Sequence, residues 1–323
     1  MVKQVRKALK ALVFGSASFP QQCSIGLRDP QSEVSVWLHG LGPPRDVTQN
    51  NVIASARPFT IGIGLERPPD LAEAGGTPLS LQFRERDGEQ RLLGVIRLRL
   101  KEVTAVGLDQ IGFFEILGCT NYCVPRARQW ARYAQYGYQR WRSRAHPGSN
   151  APMVGREVHS VFVFYICPRP VVLVSVVDGN LTNIFPMDLI GPVGTRHFSL
   201  ALHSTSTAVP LLERSRRIAL SSVPIEQTSV AYQLGRNHNK VSVEADEIPF
   251  TTTKSAAFGL PVPCFSLRVR EMQIESIQRL ESHSVFLART VEDRHLADGL
   301  QLFFVHGFYQ AWRCRQQPSL LVG

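Results

Sequence analysis

Acidic residues are scarce: 26 Asp and Glu stand against 36 Lys and Arg in 323 residues, and none at all falls between Glu115 and Glu157. The formal net charge of +10 and a pI near 9.6 point to an anionic partner, whether a nucleic acid, a phosphate-bearing cofactor or an acidic protein. The excess is uneven, with 20 basic and 12 acidic residues up to Met153 and 16 and 14 beyond it. No apolar run approaches the length of a membrane span, so the expectation is a cytoplasmic protein with no membrane partner. The first eighteen residues, MVKQVRKALKALVFGSAS, put four basic side chains before a short apolar run. That run is too brief for a secretory signal and reads as a basic helix or first strand.

Other absences narrow the chemistry. The six cysteines have no framework spacing; Cys119 and Cys123 lie four apart with no second pair to close a tetrahedral zinc site, so reduced thiols and no metal are expected. Gly62-Ile63-Gly64 lacks the third glycine and the following helix of a dinucleotide-binding loop. There is no triad motif, metal-ligand cluster or paired-carboxylate motif.

What is present is mostly strand pattern. Residues 35–39, 59–65, 79–83 and 92–103 read as strands in the first half. In the second, an apolar run at 171–177 meets a tight Asp178-Gly179 turn, followed by segments opening at Leu181 and covering 197–203. Residues 209–216 and 228–234 read as helices, 218–223 as a buried strand, and 259–272, 284–290 and 302–312 as further strands. Residues 67–77 read as a surface loop, and the turn formers at 146–152 as a linker. The class expected is mainly β with short helices (α+β).

The halves echo each other. LRLKE at 98–102 matches LRVRE at 267–271, and YQRWRSR at 138–144 matches YQAWRCR at 309–315, in the same order and at offsets of about half the chain. A weaker parallel sets TQNN at 48–51, ahead of 59–65, against Thr182-Asn183, ahead of 198–202. Two tandem copies of one β-rich domain are inferred, 1–147 and 155–323.

With those residues in view, the second half resembles the flavin reductase family, FMN-binding split β-barrels that pair as dimers. The resemblance rests on 170–177, on Thr182-Asn183-Ile184-Phe185-Pro186-Met187-Asp188-Leu189, on 204–212, on Gly259-Leu260-Pro261 and on ESHSVF at 281–286. Where the family has a Gly-Asp-His-Thr-like segment, this chain keeps His283 and replaces the two residues before it with Glu281 and Ser282. The resemblance implies that 183–189 line an isoalloxazine through backbone groups, and that Ser204, Ser206 and Thr207 take the ribityl chain or phosphate. His283 would contact flavin or dihydronicotinamide as the catalytic residue, with His238 as a second cofactor contact. It implies FMN as cofactor, NADH or NADPH as co-substrate, and a flavin-dependent enzyme as a candidate partner. The fused copies would form an intrachain pseudo-dimer, monomeric or weakly self-associating, with one FMN per chain held by the second half. A lone histidine in a strand is more often a hydrogen-bonded structural one, and the family motif brings the two readings of His283 level.

Two alternatives stand beside this. One is an FMN-dependent electron-transfer protein or oxidoreductase that does not use nicotinamide. The other is a non-enzymatic nucleic-acid-binding protein. Its surface would be 126–144, where six arginines alternate with Trp130, Tyr133, Tyr136, Tyr138 and Trp141. Helix packing with arginine stems over apolar surface is the stronger account of that pattern.

Overall fold

The computed structural model describes residues 22–28, 33–65, 78–107, 109–143 and 155–316. The loop expected at 67–77, the linker at 146–152 and the N-terminal segment lie outside the described residues.

After β1 (Gln22–Leu27), the first half contributes β2 (Val34–His39), β3 (Arg45–Asp46), β4 (Asn51–Ala56), β5 (Phe59–Leu65), β6 (Ser80–Glu85), β7 (Leu92–Val106) and β8 (Asp109–Asn121). After a helix at Arg126–Ser143 and another at Arg156–Phe164 come β9 (Arg169–Pro170), β10 (Val172–Asp178), β11 (Leu181–Met187), β12 (Ile190–Val193) and β13 (His197–His203). A helix at Ala208–Ser215 leads to β14 (Arg217–Ser222), and a helix at Thr228–Leu234 precedes β15 (Thr252–Lys254) and β16 (Pro261–Pro263). The chain ends with β17 (Arg268–Arg279), β18 (His283–His295), β19 (Gln301–His306) and a helix at Gly307–Gln316.

Two seven-stranded antiparallel sheets result, ordered β3-β2-β6-β7-β8-β5-β4 and β11-β10-β14-β17-β18-β13-β12. Replacing each strand of the first by its counterpart in chain order gives the second, so the two halves share one topology in a mixed α+β fold, as the tandem reading expects. The LRLKE and LRVRE segments fall in and at the start of the equivalent strands β7 and β17. The parallel between 48–51 and 182–183 does not hold, because Asn51 opens β4, the counterpart of β12, whereas Asn183 lies within β11.

Strand chemistry explains the layers. On β10, Val172, Val174 and Val176 pack inward with Phe185, Met187, Leu220 and Phe286. Leu173 faces the other way onto Ile184, Val223 and Leu302, so β10 is buried on both faces and reads as an unbroken apolar run. Gly179, at φ 59°, turns β10 directly into β11 with Asp178 opposite Leu181, as a two-residue hairpin with glycine first requires. In the first half, Val36, Leu38, Ile61, Ile63, Leu81, Phe83 and Phe114 form the corresponding core. That core also takes Phe162 and Phe164 from the helix Arg156–Phe164 and Phe303 and Val305 from β19.

Two strand expectations are corrected. The segment 302–312 is a strand only to His306; Gly307 starts a helix, so both YQxWR segments are helical. The segment 259–272 is broken between β16 and β17. In addition, β1, β19 and β9 form a separate three-stranded sheet that ties the start of the chain to its end.

The halves meet reciprocally. The tip of the β7–β8 hairpin places Asp109 against His197 at the start of β13, with 3.1 Å between Oδ2 and Nδ1. The tip of the β17–β18 hairpin places Ser282 and His283 against the end of β4. Between the tips, Ala54, Val106, Ile111 and Phe113 pack on Val193, Ala201, Val285 and Leu287. The backbones approach closely there: a Cβ on Gly191 would sit 3.0 Å from the Asn51 carbonyl oxygen, and one on Gly64 would sit 3.2 Å from the Gly194 nitrogen. This is an intrachain pseudo-dimer, with corresponding surfaces of the two copies facing each other.

Candidate functional site

Period-two alternation decides what β11 can offer a ligand. Phe185 and Met187 point into the barrel core and Ile184 into the core on the opposite side, so their side chains are spent on packing. What remains is backbone, together with the polar Thr182 and Asn183. Thr182 is tied to the 242–243 segment, its N–H donating to Ser242 Oγ and its carbonyl accepting from the Val243 N–H at 2.7 Å.

Asn183 is fully buried. Its amide donates to the carbonyls of Asn237 (3.2 Å) and Lys240 (2.8 Å), and Asn237 returns a bond to the Ile184 carbonyl at 2.7 Å. These bonds lock the short turn Gly235–Asn239 onto β11. The Asn183 Oδ1 is left buried with no hydrogen-bond partner. A buried unsatisfied acceptor is costly, and a ligand N–H or an ordered water would satisfy it.

His238 sits on the same turn. Its Nε2 is 2.7 Å from the Pro186 carbonyl oxygen, and a carbonyl only accepts, so the proton is on Nε2 and Nδ1 is the basic nitrogen. Burial lowers its pKa, opposed by the bond to Pro186. The His238 carbonyl in turn accepts from Ser206 Oγ (2.9 Å) and Thr207 Oγ1 (3.1 Å). The two hydroxyls therefore stand beside His238 at the N-terminus of the helix Ala208–Ser215, their protons turned to the His238 carbonyl, and Ser206 Oγ also accepts from the Ala208 N–H at 3.4 Å. Arg214 and Arg216 add no charge at that end. Arg214 pairs with Asp178 at 2.6 Å and Arg216 caps the far terminus.

The loop after β13 joins this group to His283. The Ser204 N–H donates to the Ser282 carbonyl at 3.0 Å, and His203 lies opposite His283 in the β13–β18 register with ring centroids 5.4 Å apart. The His283 Nδ1 accepts from the Ala56 N–H at 3.4 Å and lies 2.8 Å from Ser282 Oγ. With Nδ1 accepting, the ring is neutral and its proton is on Nε2. Burial, with His203 nearby, pushes its pKa down to about 4. Ser282 Oγ also accepts from the Arg57 N–H at 2.9 Å, so the first half supplies one wall.

Asp188 and Leu189 diverge from the group. Asp188 accepts from the Tyr165 hydroxyl at 2.7 Å, and burial raises its pKa. Leu189 packs into the interface core. The residues singled out from sequence thus separate into Asn183, Pro186, Ser204, Ser206, Thr207, His238 and His283 around the β13–helix loop, and Asp188 and Leu189 just past β11, whose side chains go to Tyr165 and the interface core, with Asp188 still within electrostatic reach of His238. Sequence reasoning missed Ser55, Ala56, Arg57 and His203. Only the strand alternation of 197–203 offered a signal for His203, and nothing local signalled a contact made across more than 220 residues.

Among the described residues there is no group of three or more His, Cys, Asp or Glu side chains placed to hold a metal ion, and no helix long and apolar enough to cross a membrane. No protein-family model matches the chain, and no curated protein does. Solved structures of similar shape exist at low identity. An FMN-binding protein from Thermus thermophilus with bound p-hydroxybenzaldehyde is 18% identical over 46% of this chain and 80% of its own, with a TM-score of 0.38. The NADH:FAD oxidoreductase SgcE6 of Streptomyces globisporus is 16% identical over 49% and 93%, with a TM-score of 0.41. BorF, the flavin reductase component of a bacterial two-component tryptophan halogenase, is 15% identical over 45% and 90%, with a TM-score of 0.39.

Proposed function

We propose that the chain is an FMN-binding flavoprotein of flavin reductase type, with domains 1–147 and 155–323 and the cofactor held by the second. The observation that carries the reading is the buried, unpartnered Asn183 Oδ1 beside the His238 turn, in the segment that resembles the family's flavin-binding stretch. Asn183 Oδ1 would accept from a ring N–H, and the Pro186 region would contribute backbone. The N-terminal end of the helix Ala208–Ser215 would take the phosphate end, with the Ser206 and Thr207 hydroxyls turning from the His238 carbonyl to donate to it and Ser204 beside them. Neutral His283 would border the nicotinamide side, donating through Nε2.

Bound FMN supplies the hydride-accepting centre, so the protein's task is to position donor and acceptor and exclude water. No side-chain acid or base is needed for hydride delivery, which suits a site whose two histidines are both held below their ordinary pKa. Equilibrium dialysis against FMN tests the binding. Stopped-flow bleaching of the bound flavin by NADH or NADPH then separates a reductase from a flavoprotein that takes electrons elsewhere.

A second reading is favoured by one observation. On the helix Arg126–Ser143, Trp130, Tyr138 and Trp141 are 68%, 59% and 67% exposed, whereas Tyr133 packs on His159 and Phe162. Packing therefore explains Tyr133 but not the outer aromatics, which with the exposed Arg126 and Arg128 suit stacking with single-stranded nucleic acid. Salt-dependent binding of a single-stranded oligonucleotide, lost in Trp130→Ala/Trp141→Ala, is the expected result on this reading; no binding at low salt removes it.

A further inference from the structure

The junction of the two halves encloses a cavity that the flavin reading does not use. It is lined by Thr48 and Asn51 of the first half and by Arg169, Phe198, Arg270 and Gln301 of the second, among others, and offers about 90 Å³ of space for water. At roughly 15 Å³ per water centre, that is room for about six waters. It suits one ring with a short substituent and is too small for a three-ring flavin.

Its chemistry is set by Arg169, which is only 4% exposed. Both terminal nitrogens go to one neutral residue: Nη1 donates to the Asn51 carbonyl at 3.0 Å and Nη2 to the Asn51 Oδ1 at 2.6 Å. The guanidinium lies 3.8 Å over the Phe164 ring, and its Nε is buried with no hydrogen-bond partner. A buried cation whose hydrogen-bonding partner is an amide retains an uncompensated charge and an unused donor, both of which a ligand carboxylate would satisfy. Asp188 acts on Arg169 from further away, but its Oδ2 is held by Tyr165. Arg270 adds a second positive wall 5.4 Å over Phe198, with Asp293 as its carboxylate partner. Gln301 is also nearly buried, and among the described residues its side chain makes no hydrogen bond. The remaining wall includes Val172, Ile190, Leu220 and Phe303, which is an apolar seat for a ring.

We propose that this cavity is a second ligand site, separate from the candidate flavin site, that binds a small aromatic carboxylate. The carboxylate meets Arg169 and the Gln301 amide, and the ring lies between Phe198 and the aliphatic wall. None of the 203–207 loop, His238 or His283 lines it, so the proposal stands without FMN.

Calorimetric titration of the full chain with benzoate, with benzamide as the neutral match and acetate as the ringless one, tests it. The expected result is one benzoate per chain at about 1 mM or tighter, with benzamide and acetate each at least about tenfold weaker. Arg169→Lys, with a retained circular dichroism spectrum, should lose about tenfold or more in affinity. Because Arg169 also bridges the halves, hydrogen exchange on the unmodified protein supplies a mutation-free readout. Benzoate should slow exchange at 48–51 and 168–172 and leave 203–207 unchanged, with the same affinity when FMN is present. No saturable binding, equal binding of benzamide, or protection confined to 203–207 would overturn the proposal.

Discussion

Ser55 of the first sheet and Ser282 at the tip of the β17–β18 hairpin place their hydroxyl oxygens 2.9 Å apart. Ser282 lies directly beside His283, so the candidate catalytic histidine is held against the first half and depends on it for its surroundings. Replacing Ser282 with Ala removes the nearer of the two acceptors of the Arg57 N–H, leaving Ser55 Oγ at 3.3 Å, and the neighbour of His283 Nδ1. The expected cost is about 1 kcal/mol of stability by urea denaturation, with a rise in the His283 pKa toward its ordinary value measured by NMR titration. An unchanged titration curve would show that Ser282 does not set the state of His283.

Stability should fall on mild acidification through buried histidines. His283 is pushed down to about 4 and His306, enclosed in the core beside Phe162, to about 3. Their unfolded-state value is near 6.5, so the folded state resists a proton that the unfolded chain accepts. The stabilisation is complete above pH 6.5 and is lost as the pH falls from there toward the folded values. Full loss at His283 amounts to about 3 kcal/mol. Urea midpoints at pH 7 and pH 5 check this: the pH 5 midpoint should be lower, and His283→Gln should shrink the difference by about half, leaving the share of His306.

The reciprocal interface depends on glycine at position 194, where φ is 70° and a Cβ would lie 2.1 Å from Asp109 Cγ. Gly194→Ala should destabilise the chain by more than about 2 kcal/mol, combining backbone strain with a clash. Adding Asp109→Ala should recover part of the loss by removing the clash, while the backbone term of about 1 kcal/mol remains. Strict additivity of the two substitutions would contradict the contact.

Asn183→Ala should weaken FMN binding and also lower stability by about 1 to 3 kcal/mol, since the carbonyls of Asn237 and Lys240 lose their donor. Thr207→Val gives the cleaner test, because its one described side-chain bond goes to a carbonyl that Ser206 also serves. It should reduce FMN affinity about tenfold with little change in the urea midpoint.

The duplication and most strands were legible because they are written in local pattern. The β-branched run of β10, the Asp178-Gly179 turn and the paired LRLKE and LRVRE segments each follow from short-range rules. The end of β19 was not, since Phe303, Phe304, Phe308 and Tyr309 continue an apolar run through His306 and Gly307 without marking where the period changes from two to 3.6. The candidate site was legible in part for the same reason. Ser206, Thr207 and His238 lie on turns of one half beside the strand that carries Asn183, whereas the Ser55–Ser282 contact and the Arg169–Asn51 bond arise only when two distant copies fold against each other.

The central claim is that one half of a pseudo-dimer holds FMN. Equilibrium dialysis of the full chain against micromolar FMN tests it most directly. The account predicts saturation at one FMN per chain, with binding reduced in Thr207→Val. No uptake, or two equivalent FMN molecules per chain, would contradict it.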